Sequence, residues 1–282
     1  MTPVTDQNPF TRRAVHRLKG VLNASKTIVI SPDASIVFMS DCHRGQNTPN
    51  DNFTVNAELY NKILLHYYEA GFTYIELGDG EELWENRDFS RILSAHRDTY
   101  TILDNFYKDE RLFMLCGNHD LIKCKKQLYS TVMPHLKIQE GLLLKLTPSG
   151  KRLFLIHGHQ ADFFNDVMAP LVCFLVRYVW KPLEILGLRA PYKTGCSISK
   201  SSVIEQSLCE FSTREQLSVI AGHTHHTVFP KTSGCRYYND GCCVWENLIT
   251  AIELSHNTIS LVCYSSADGQ LHKTVTASHA IT

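Results

Sequence analysis

The chain has 282 residues, of which 44% are hydrophobic, and this is enough for one large globular domain with a buried core. Its 28 basic and 28 acidic side chains balance, so no bulk attraction to nucleic acid is expected. No stretch reaches about 18 apolar residues without a charge, and no secretory signal is recognisable. The ten cysteines lack regular spacing and several lie in apolar runs, which predicts reduced core thiols. A soluble cytoplasmic protein that binds no nucleic acid is therefore expected.

Short apolar β-rich runs alternate with helical stretches along the chain, which predicts an α/β fold. The helices expected from apolar spacing lie at 8–24, near 55–70 and near 89–107. The strands expected in the first half lie at 35–40, 72–77, 111–116 and 151–157. Further strands, with the layout of a β-meander, are expected at 217–221, 226–230, 235–240, 247–254 and 258–264.

Residues 162–212 interrupt this alternation with a long segment rich in Leu, Val and aromatic residues, and we expect a helical insertion there. The expected organisation is an N-terminal helical extension over 1–34, a main domain over 35–264 that contains the insertion, and a C-terminal tail over 265–282. Pro182 would break or kink a helix, which speaks against a membrane span.

Two hypotheses remain for the apolar face of this insertion. It is either a cap that packs on the core or on a second subunit, or a lid that receives an acyl chain or lies on a membrane surface. The second hypothesis predicts peripheral membrane contact through the insertion.

Five of the β-runs end in a cluster of oxygen and nitrogen ligands. Taken singly, these clusters could be a solvated turn after a strand, a Gly-Asp turn, or histidines of the core or surface. Five in series favour a shared site at one edge, because successive strand ends can deliver them together. The clusters are Asp41-Cys42-His43-Arg44, Gly78-Asp79-Gly80, Gly117-Asn118-His119-Asp120, Ile156-His157 and Gly222-His223-Thr224-His225.

The order of these clusters resembles the calcineurin-like metallophosphoesterase family. Its motifs are Asp-x-His, Gly-Asp, Gly-Asn-His with a following acid, a later His, and Gly-His-x-His, and the match runs from Ser40 to His225. The resemblance implies a two-sheet β sandwich flanked by helices. It also implies two metal ions, one held by Asp41, His43 and His225, the other by Asn118, His157 and His223, with Asp79 as the bridge.

Imidazole, carboxylate and amide ligands without a thiolate suit borderline or hard divalent ions, so we expect Mn first, with Fe, Zn or Co as alternatives. Two such ions about 3.5–4 Å apart can lower the pKa of a bridging water, and a metal-bound hydroxide would then attack phosphorus in line. His119 is expected to stabilise the developing charge or to protonate the leaving oxygen, oriented by Asp120. The alternative for His119 is a supporting residue without proton transfer.

Other polar residues beside the ligand motifs have simpler interpretations. Arg44, directly after His43, is expected to contact a phosphate oxygen of the substrate, with a solvated arginine as the alternative. Glu81 and Glu82 are expected to begin a helix, where carboxylates suit the helix dipole.

Several substrate hypotheses follow from the resemblance. The leading one is hydrolysis of a small or lipid-linked phosphate compound, and a nucleotide-sugar or lipid pyrophosphatase is the alternative. The run from His157 to Asp162 before a helical insertion resembles the branch with the UDP-2,3-diacylglucosamine pyrophosphohydrolases, in which arginine stands where this chain has His119. A non-catalytic scaffold should have lost ligands, and none is missing. A nuclease is disfavoured by the neutral charge.

Overall fold

The structure, a computed structural model, describes residues 9–185, 198–230, 234–267 and 269–281. Two β-sheets pack face to face and helices cover their outer sides. The strands are β1 (Lys26–Ile30), β2 (Ile36–Met39), β3 (Thr73–Glu76), β4 (Leu112–Leu115), β5 (Ile138–Gln139), β6 (Gly141–Leu146), β7 (Arg152–Ile156), β8 (Ser218–Ala221), β9 (Tyr237–Asn239), β10 (Ile249–Ser255), β11 (Thr258–Ala267) and β12 (Gln270–Ala280). The helices are α1 (Pro9–Ala24), α2 (Ala57–Glu69), α3 (Phe89–Ala95), α4 (Arg97–Lys108), α5 (Phe163–Asp166), α6 (Ala169–Leu175), α7 (Lys181–Ile185) and α8 (Ile198–Glu215).

The large sheet has seven strands in the order β12-β11-β10-β2-β3-β4-β5. Its central strands β2, β3 and β4 are parallel, with Phe38 opposite Ile75 and Ile75 opposite Phe113. All four residues of β2 are buried, as expected for a parallel strand covered on both faces. Because parallel strands end at the same edge, the loops that follow β2, β3 and β4 meet there.

The small sheet has five strands in the order β1-β6-β7-β8-β9. Strands β7 and β8 are parallel, with Leu153 opposite Ser218 and Leu155 opposite Ile220. The segments after these two strands therefore also leave from a common edge, as those after β2, β3 and β4 do in the large sheet.

Three clusters of apolar side chains hold the layers together. Between the sheets, residues such as Phe38 and Ile75 of the large sheet pack with Leu142 and Leu155 of the small sheet. A second cluster lies under α2 and α4 on the outer face of the large sheet, and a third lies under α1 and α8 on the small sheet. Burial of one such side chain contributes about 1.5–3 kcal/mol. The predicted two-sheet sandwich flanked by helices is confirmed.

The predicted insertion is helical where the structure describes it. It contains α5, α6, a π-helical turn over Val176–Trp180, α7 and α8, and its part over 186–197 lies outside the described residues. No helix in the described ranges combines the length and hydropathy needed to cross a membrane. Seven large apolar side chains of the insertion are 47–55% exposed, and we call them the apolar face: Phe164, Val167, Leu171, Phe174, Leu175, Tyr178 and Val179.

Two basic side chains of the insertion, those of Arg177 and Lys181, face the protein. Arg177 donates from Nε to the carbonyl of Trp84 at 2.7 Å and from Nη2 to that of Leu83 at 2.8 Å. Lys181 donates from Nζ to the carbonyl of Glu85 at 2.9 Å. The segment thus binds the domain through its polar side and exposes its apolar side.

The structure differs from the expected layout at both ends. The segment 1–34 contains, besides helix α1, strand β1, which pairs in parallel with β6. The segment 265–282, expected as a tail, contains β12, which forms an edge of the large sheet against β11. Strands β10, β11 and β12 form the meander, whereas β8 and β9 belong to the small sheet. The helix expected near 89–107 is two helices that meet at His96.

The cysteines do not all have the expected state. Cys116 is bonded to Cys124 and Cys209 to Cys235, so the prediction of reduced thiols is wrong for these four. The turn after β4 brings the Cα atoms of the first pair to 6.2 Å, and the turn before β9 brings those of the second pair to 5.2 Å. The spacing of the cysteines along the sequence does not reveal these approaches. Three free thiols are buried as expected, those of Cys42, Cys242 and Cys243.

Candidate metal centre

One group of ligand side chains joins the loop after β2 to the loop after β8. Oδ1 of Asp41 lies 3.1 Å from Nε2 of His225 and 3.6 Å from Nε2 of His43. The two Nε2 atoms are 3.2 Å apart. One ligand atom from each of the three residues lies within 4.8 Å of the others, so they could hold one ion, as the resemblance implies.

A second group joins the loops after β3, β7 and β8. Nε2 of His157 lies 3.2 Å from Oδ2 of Asp79, and His223 completes a set of ligand atoms within 4.8 Å of one another. Oδ2 of Asp79 is also 3.8 Å from Nε2 of His43. Asp79 therefore lies between the two groups, at the position predicted for the bridge. The predicted seventh ligand, Asn118, is buried at the end of β4.

Several buried atoms of these groups make no hydrogen bond in the described part of the chain: Oδ1 of Asp41, Oδ1 of Asn118 and Nε2 of His157. A buried polar atom without a partner costs about 1–3 kcal/mol, and most have one. Here the atoms of Asp41 and His157 have close polar neighbours that are not aligned for hydrogen bonding. Converging oxygen and nitrogen atoms of this kind fit divalent metal ions.

The opposite ring nitrogens of three ligand histidines have protein partners. Nδ1 of His43 lies 3.0 Å from Glu82, and Nδ1 of His157 lies 3.2 Å from the carbonyl of Leu77. Nε2 of His223 lies 3.3 Å from Oδ2 of Asp162. Such partners fix the orientation of a ligand imidazole. They leave Nε2 of His43 and of His157 for a metal ion.

The backbone at the ligands is unusual. Five of the seven predicted ligands have a left-handed conformation, with φ between +49° and +70°: Asp41, His43, Asp79, His223 and His225. Non-glycine residues seldom adopt this conformation, and it concentrates at functional sites. Asp41 and His43 therefore face one site from a turn with two left-handed residues. Gly78, with φ of +108°, permits a close approach, because a Cβ there would lie 2.6 Å from the nitrogen of Gly117.

The ligands perturb one another electrostatically. Burial alone would raise the pKa of Asp79, but the adjacent His157 and His119 outweigh it and lower that pKa below its usual range. Burial opposes the charged form of His225, yet Asp41 raises its pKa to about 10. Since imidazole binds a metal ion only when that nitrogen carries no proton, metal binding at this site should release protons.

His119 lies beside the first group and is held on two sides. Its Nδ1 contacts the Glu82 carboxylate at 2.8 Å, and its ring stacks on Trp84. Burial would raise the pKa of Glu82, but His119 and His43 outweigh it and lower it to about 2. Glu82 therefore stays ionised and can accept a hydrogen bond from Nδ1 of His119.

Asp120, predicted to orient His119, has a different place. Its Oδ1 accepts from the backbone N–H of Gly117 at 2.7 Å, and its Oδ2 accepts from that of Gly80 at 2.8 Å and from Nζ of Lys123 at 2.6 Å. It ties together the loops that carry Asn118 and Asp79, and the contact to His119 is made by Glu82 instead. Because the backbone bends at this turn, the adjacent side chains of His119 and Asp120 point in different directions.

Arg44, predicted to contact substrate, is fully buried. Its Nη2 donates to Glu76 at 2.7 Å and to Glu81 at 2.6 Å. The chain turns at His43 so that the next side chain enters the core, and the guanidinium does not reach the metal centre. Glu81 and Glu82, expected at a helix start, are likewise buried in a loop before α3.

Sequence reasoning missed three residues that contact the predicted site: Glu82, Trp84 and Asp162. Glu82 and Asp162 each lie within five residues of a ligand motif, and a carboxylate so close to a histidine ligand was the available signal. Trp84 carried no comparable signal. A small open cleft lies beside His43, and its other lining residues are polar or small: Gly45, Thr48, Asn50, Asp51, Asn52, Glu82, Glu85 and Asn86.

Comparison with known families identifies the chain. Residues 34–227, more than half of the chain, match the sequence model of the calcineurin-like phosphoesterase family. The chain belongs to the calcineurin-like phosphoesterase family. Membership agrees with the groups of metal-binding side chains and supports hydrolysis of phosphate esters in general. No curated protein sequence matches the chain.

Several solved structures are similar to this chain at low sequence identity. Vps29 from Cryptosporidium parvum is 11% identical, with 88% of this chain and 99% of that chain covered and a TM-score of 0.45. Vps29 from Entamoeba histolytica, complexed with zinc, is 14% identical, with 86% and 98% covered and a TM-score of 0.39. A structure from Staphylococcus aureus, named as that of a 5'-nucleotidase, is 11% identical, with 87% of this chain and 53% of that chain covered and a TM-score of 0.39.

Proposed function

We propose that this chain hydrolyses phosphate esters with the help of two divalent metal ions, with Mn²⁺ as the first candidate and Fe, Zn or Co as alternatives. The observation that carries the proposal is the convergence of buried oxygen and nitrogen atoms, several of them without a hydrogen bond, in a member of this family. A divalent cation would satisfy these atoms together, because imidazole nitrogens and carboxylate and amide oxygens are its ordinary ligands.

The ligand sets are those of the two groups. Asp41, His43 and His225 hold one ion, and Asn118, His157 and His223 hold the other, with Asp79 shared. Two ions bound there supply Lewis acidity toward the phosphoryl oxygens and acidify a water molecule.

His119 is the candidate catalytic side chain of the protein itself. Its Nδ1 is engaged by Glu82, so Nε2 is the nitrogen that can face a substrate, and its side chain is 21% exposed. Held in this orientation by Glu82, the ring can stabilise negative charge at phosphorus or give an Nε2 proton to the leaving oxygen. Trp84 limits rotation of that ring by stacking on it.

A hydrolysis screen tests this proposal. Aryl phosphomonoesters, phosphodiesters, nucleotides and nucleotide-sugar pyrophosphates are offered with Mn²⁺ to the wild type, to Asp79→Ala and to Asp33→Ala, whose side chain is 88% exposed. Turnover by the wild type and Asp33→Ala, but not by Asp79→Ala, is expected. Equal turnover by all three would contradict the proposal. Metal binding without any turnover would favour a scaffold on the same fold.

The substrate proposed is a small or lipid-linked phosphate compound, including the lipid or nucleotide-sugar pyrophosphates. The polar cleft beside His43 supports a small polar portion of the substrate. The apolar face supports a lipid-linked one, because Arg177 binds it to the loop of Trp84, which contacts His119. Arginines lie at its margins, with Arg13 over the ring of Phe163 and Arg87 over that of Tyr178, and these suit anionic headgroups. Peripheral membrane contact through the apolar face is therefore part of the proposal.

A further inference from the structure

We propose that Asp162 is a positioning residue that couples the helical insertion to the metal centre, because one carboxylate both orients His223 and caps the first turn of α5. The inference rests on the proposed function only in taking His223 as a metal ligand. Asp162 is the first residue of the insertion. The role assigned to it does not depend on where the substrate binds.

The contact with the metal centre is direct and buried. Oδ2 of Asp162 lies 3.3 Å from Nε2 of His223, and the two residues are 5% and 6% exposed. A carboxylate at the far nitrogen of a ligand histidine fixes the ring and its tautomer and increases its basicity. The same imidazole has a ligand atom within 4.8 Å of ligand atoms of Asp79 and His157.

The contact with the insertion uses the same carboxylate. Oδ1 of Asp162 accepts from the backbone N–H of Phe164 at 3.0 Å and of Asn165 at 3.5 Å, as an N-cap residue does. The side-chain amide of Asn165 donates to Oδ2 at 2.8 Å. Three donors from α5 therefore hold the carboxylate in the orientation that meets His223.

The first turn of α5 is in turn fixed to the body of the domain. Oδ2 of Asp166 accepts from Nη2 of Arg13 at 2.6 Å, and its Oδ1 accepts from Nε of Arg17 at 3.2 Å. Both arginines belong to α1, which packs on the small sheet. An ordered α5 thus presents Asp162 to His223, and by linkage a metal ion at His223 must stabilise α5 by the same free energy.

The decisive variant keeps the cap and removes the charge. Asparagine is about as good an N-cap as aspartate, so Asp162→Asn should preserve α5 while weakening the hold on His223. Asp88→Asn is the matched control, because Asp88 caps α3 through the N–H of Ser90 at 3.0 Å and contacts no predicted ligand. Calorimetric titration with Mn²⁺ compares the three proteins without substrate.

We expect two sites of wild-type affinity in Asp88→Asn, and in Asp162→Asn a 10–100-fold loss at one of the two sites. Hydrogen exchange gives a second readout. Mn²⁺ should slow exchange of the amides of Phe164 and Asn165 in the wild type and in Asp88→Asn, and should have no such effect in Asp162→Asn. If Asp162→Asn does not fold, Asp162→Ser, which caps a helix with a shorter side chain, replaces it.

The outcomes separate this inference from the proposed function. Two sites of wild-type affinity in Asp162→Asn, or in a folded Asp162→Ser, would overturn the coupling even if the enzyme hydrolyses phosphate esters. Weakened metal binding in a protein with no turnover on any ester would support the coupling and contradict the hydrolase. Failure of the wild type to bind Mn²⁺ would overturn both.

Discussion

The imidazole of His119 stacks on the indole of Trp84, with ring centroids 4.1 Å apart and an angle of 22° between the planes. The carbonyl of Trp84 accepts from Arg177 of the insertion at 2.7 Å. The ring that faces the proposed reaction is therefore held by its neighbour in the loop before α3, and that loop is held by the insertion.

Replacement of His119 by alanine should lower kcat by about 10²- to 10⁴-fold, because general acid catalysis and charge stabilisation are lost. Metal content should stay at the wild-type level, since the two ligand groups do not include His119. Both quantities are measured on an aryl phosphomonoester with Mn²⁺, and His256→Ala, whose side chain is 76% exposed, is the control. Loss of metal in His119→Ala would make His119 structural.

Glu82→Gln should affect metal binding and turnover together, because the carboxylate contacts both His43 and His119. A 10–100-fold loss of metal affinity is expected, with a fall in kcat at saturating metal. Asp120→Asn serves as the comparison, since Asp120 binds backbone N–H groups and Lys123 instead. If Asp120→Asn alone reproduced the kcat defect of His119→Ala, the sequence-based role of Asp120 would be right.

Arg44→Met should destabilise the fold by about 3–5 kcal/mol, because it leaves the buried carboxylates of Glu76 and Glu81 without one of their cations. Urea unfolding measures the change, and Arg91→Met, at a side chain 72% exposed, should be close to neutral. A substrate contact by Arg44 would give the opposite result, with stability retained and KM raised.

Asp51→Asn should change stability in a pH-dependent way. Burial would raise the pKa of Asp51, but the hydrogen bond from His96 and those from the backbone N–H groups of Asn47 and Phe53 outweigh it and lower that pKa. The folded state then binds fewer protons than the unfolded state, so the contribution is present above about pH 4 and is lost as pH falls through the folded pKa. Urea unfolding at pH 7 and pH 3 should show a larger deficit of the variant at pH 7. A deficit independent of pH, or one shared by Asp33→Asn, would contradict this account.

The proposed membrane contact is made by the apolar face of the insertion. Wild-type protein should sediment with vesicles of phosphatidylglycerol more than with vesicles of phosphatidylcholine, and the double variant Leu171→Glu, Phe174→Glu should stay in the supernatant. Val275→Glu, at a residue 56% exposed on β12, is the matched control and should sediment as the wild type does. Wild-type protein that remains in the supernatant with both vesicles would end the membrane hypothesis.

The central part of the fold could be predicted from the sequence, because β2, β3 and β4 are short apolar runs with polar residues directly after them. Strand β6 was not predicted, since the run GLLLKL has no alternation that separates a buried strand from a helix. Strand β1 was not predicted either, and its place depends on pairing with β6, far along the chain.

The ligand residues could be predicted because they belong to recognisable sequence motifs. The residues that hydrogen-bond to the ligands could not be predicted in this way. Glu82 meets His43 and His119 only after three strands have brought their loops to one edge. Arg44 follows a predicted ligand in the sequence, yet its side chain enters the core. The preceding residue is left-handed, so the direction of the Arg44 side chain cannot be inferred from that of His43.

The left-handed backbone at five ligands makes the metal motif a matter of chain shape as much as of side-chain identity. The same seven ligand residues, grafted onto regular strands of another scaffold, would have side chains that point in different directions. A successful graft would have to reproduce the bends as well, and its host would need enough packing to offset about 1–3 kcal/mol at each of them. In this protein, the two packed sheets on either side of the loops fulfil that requirement.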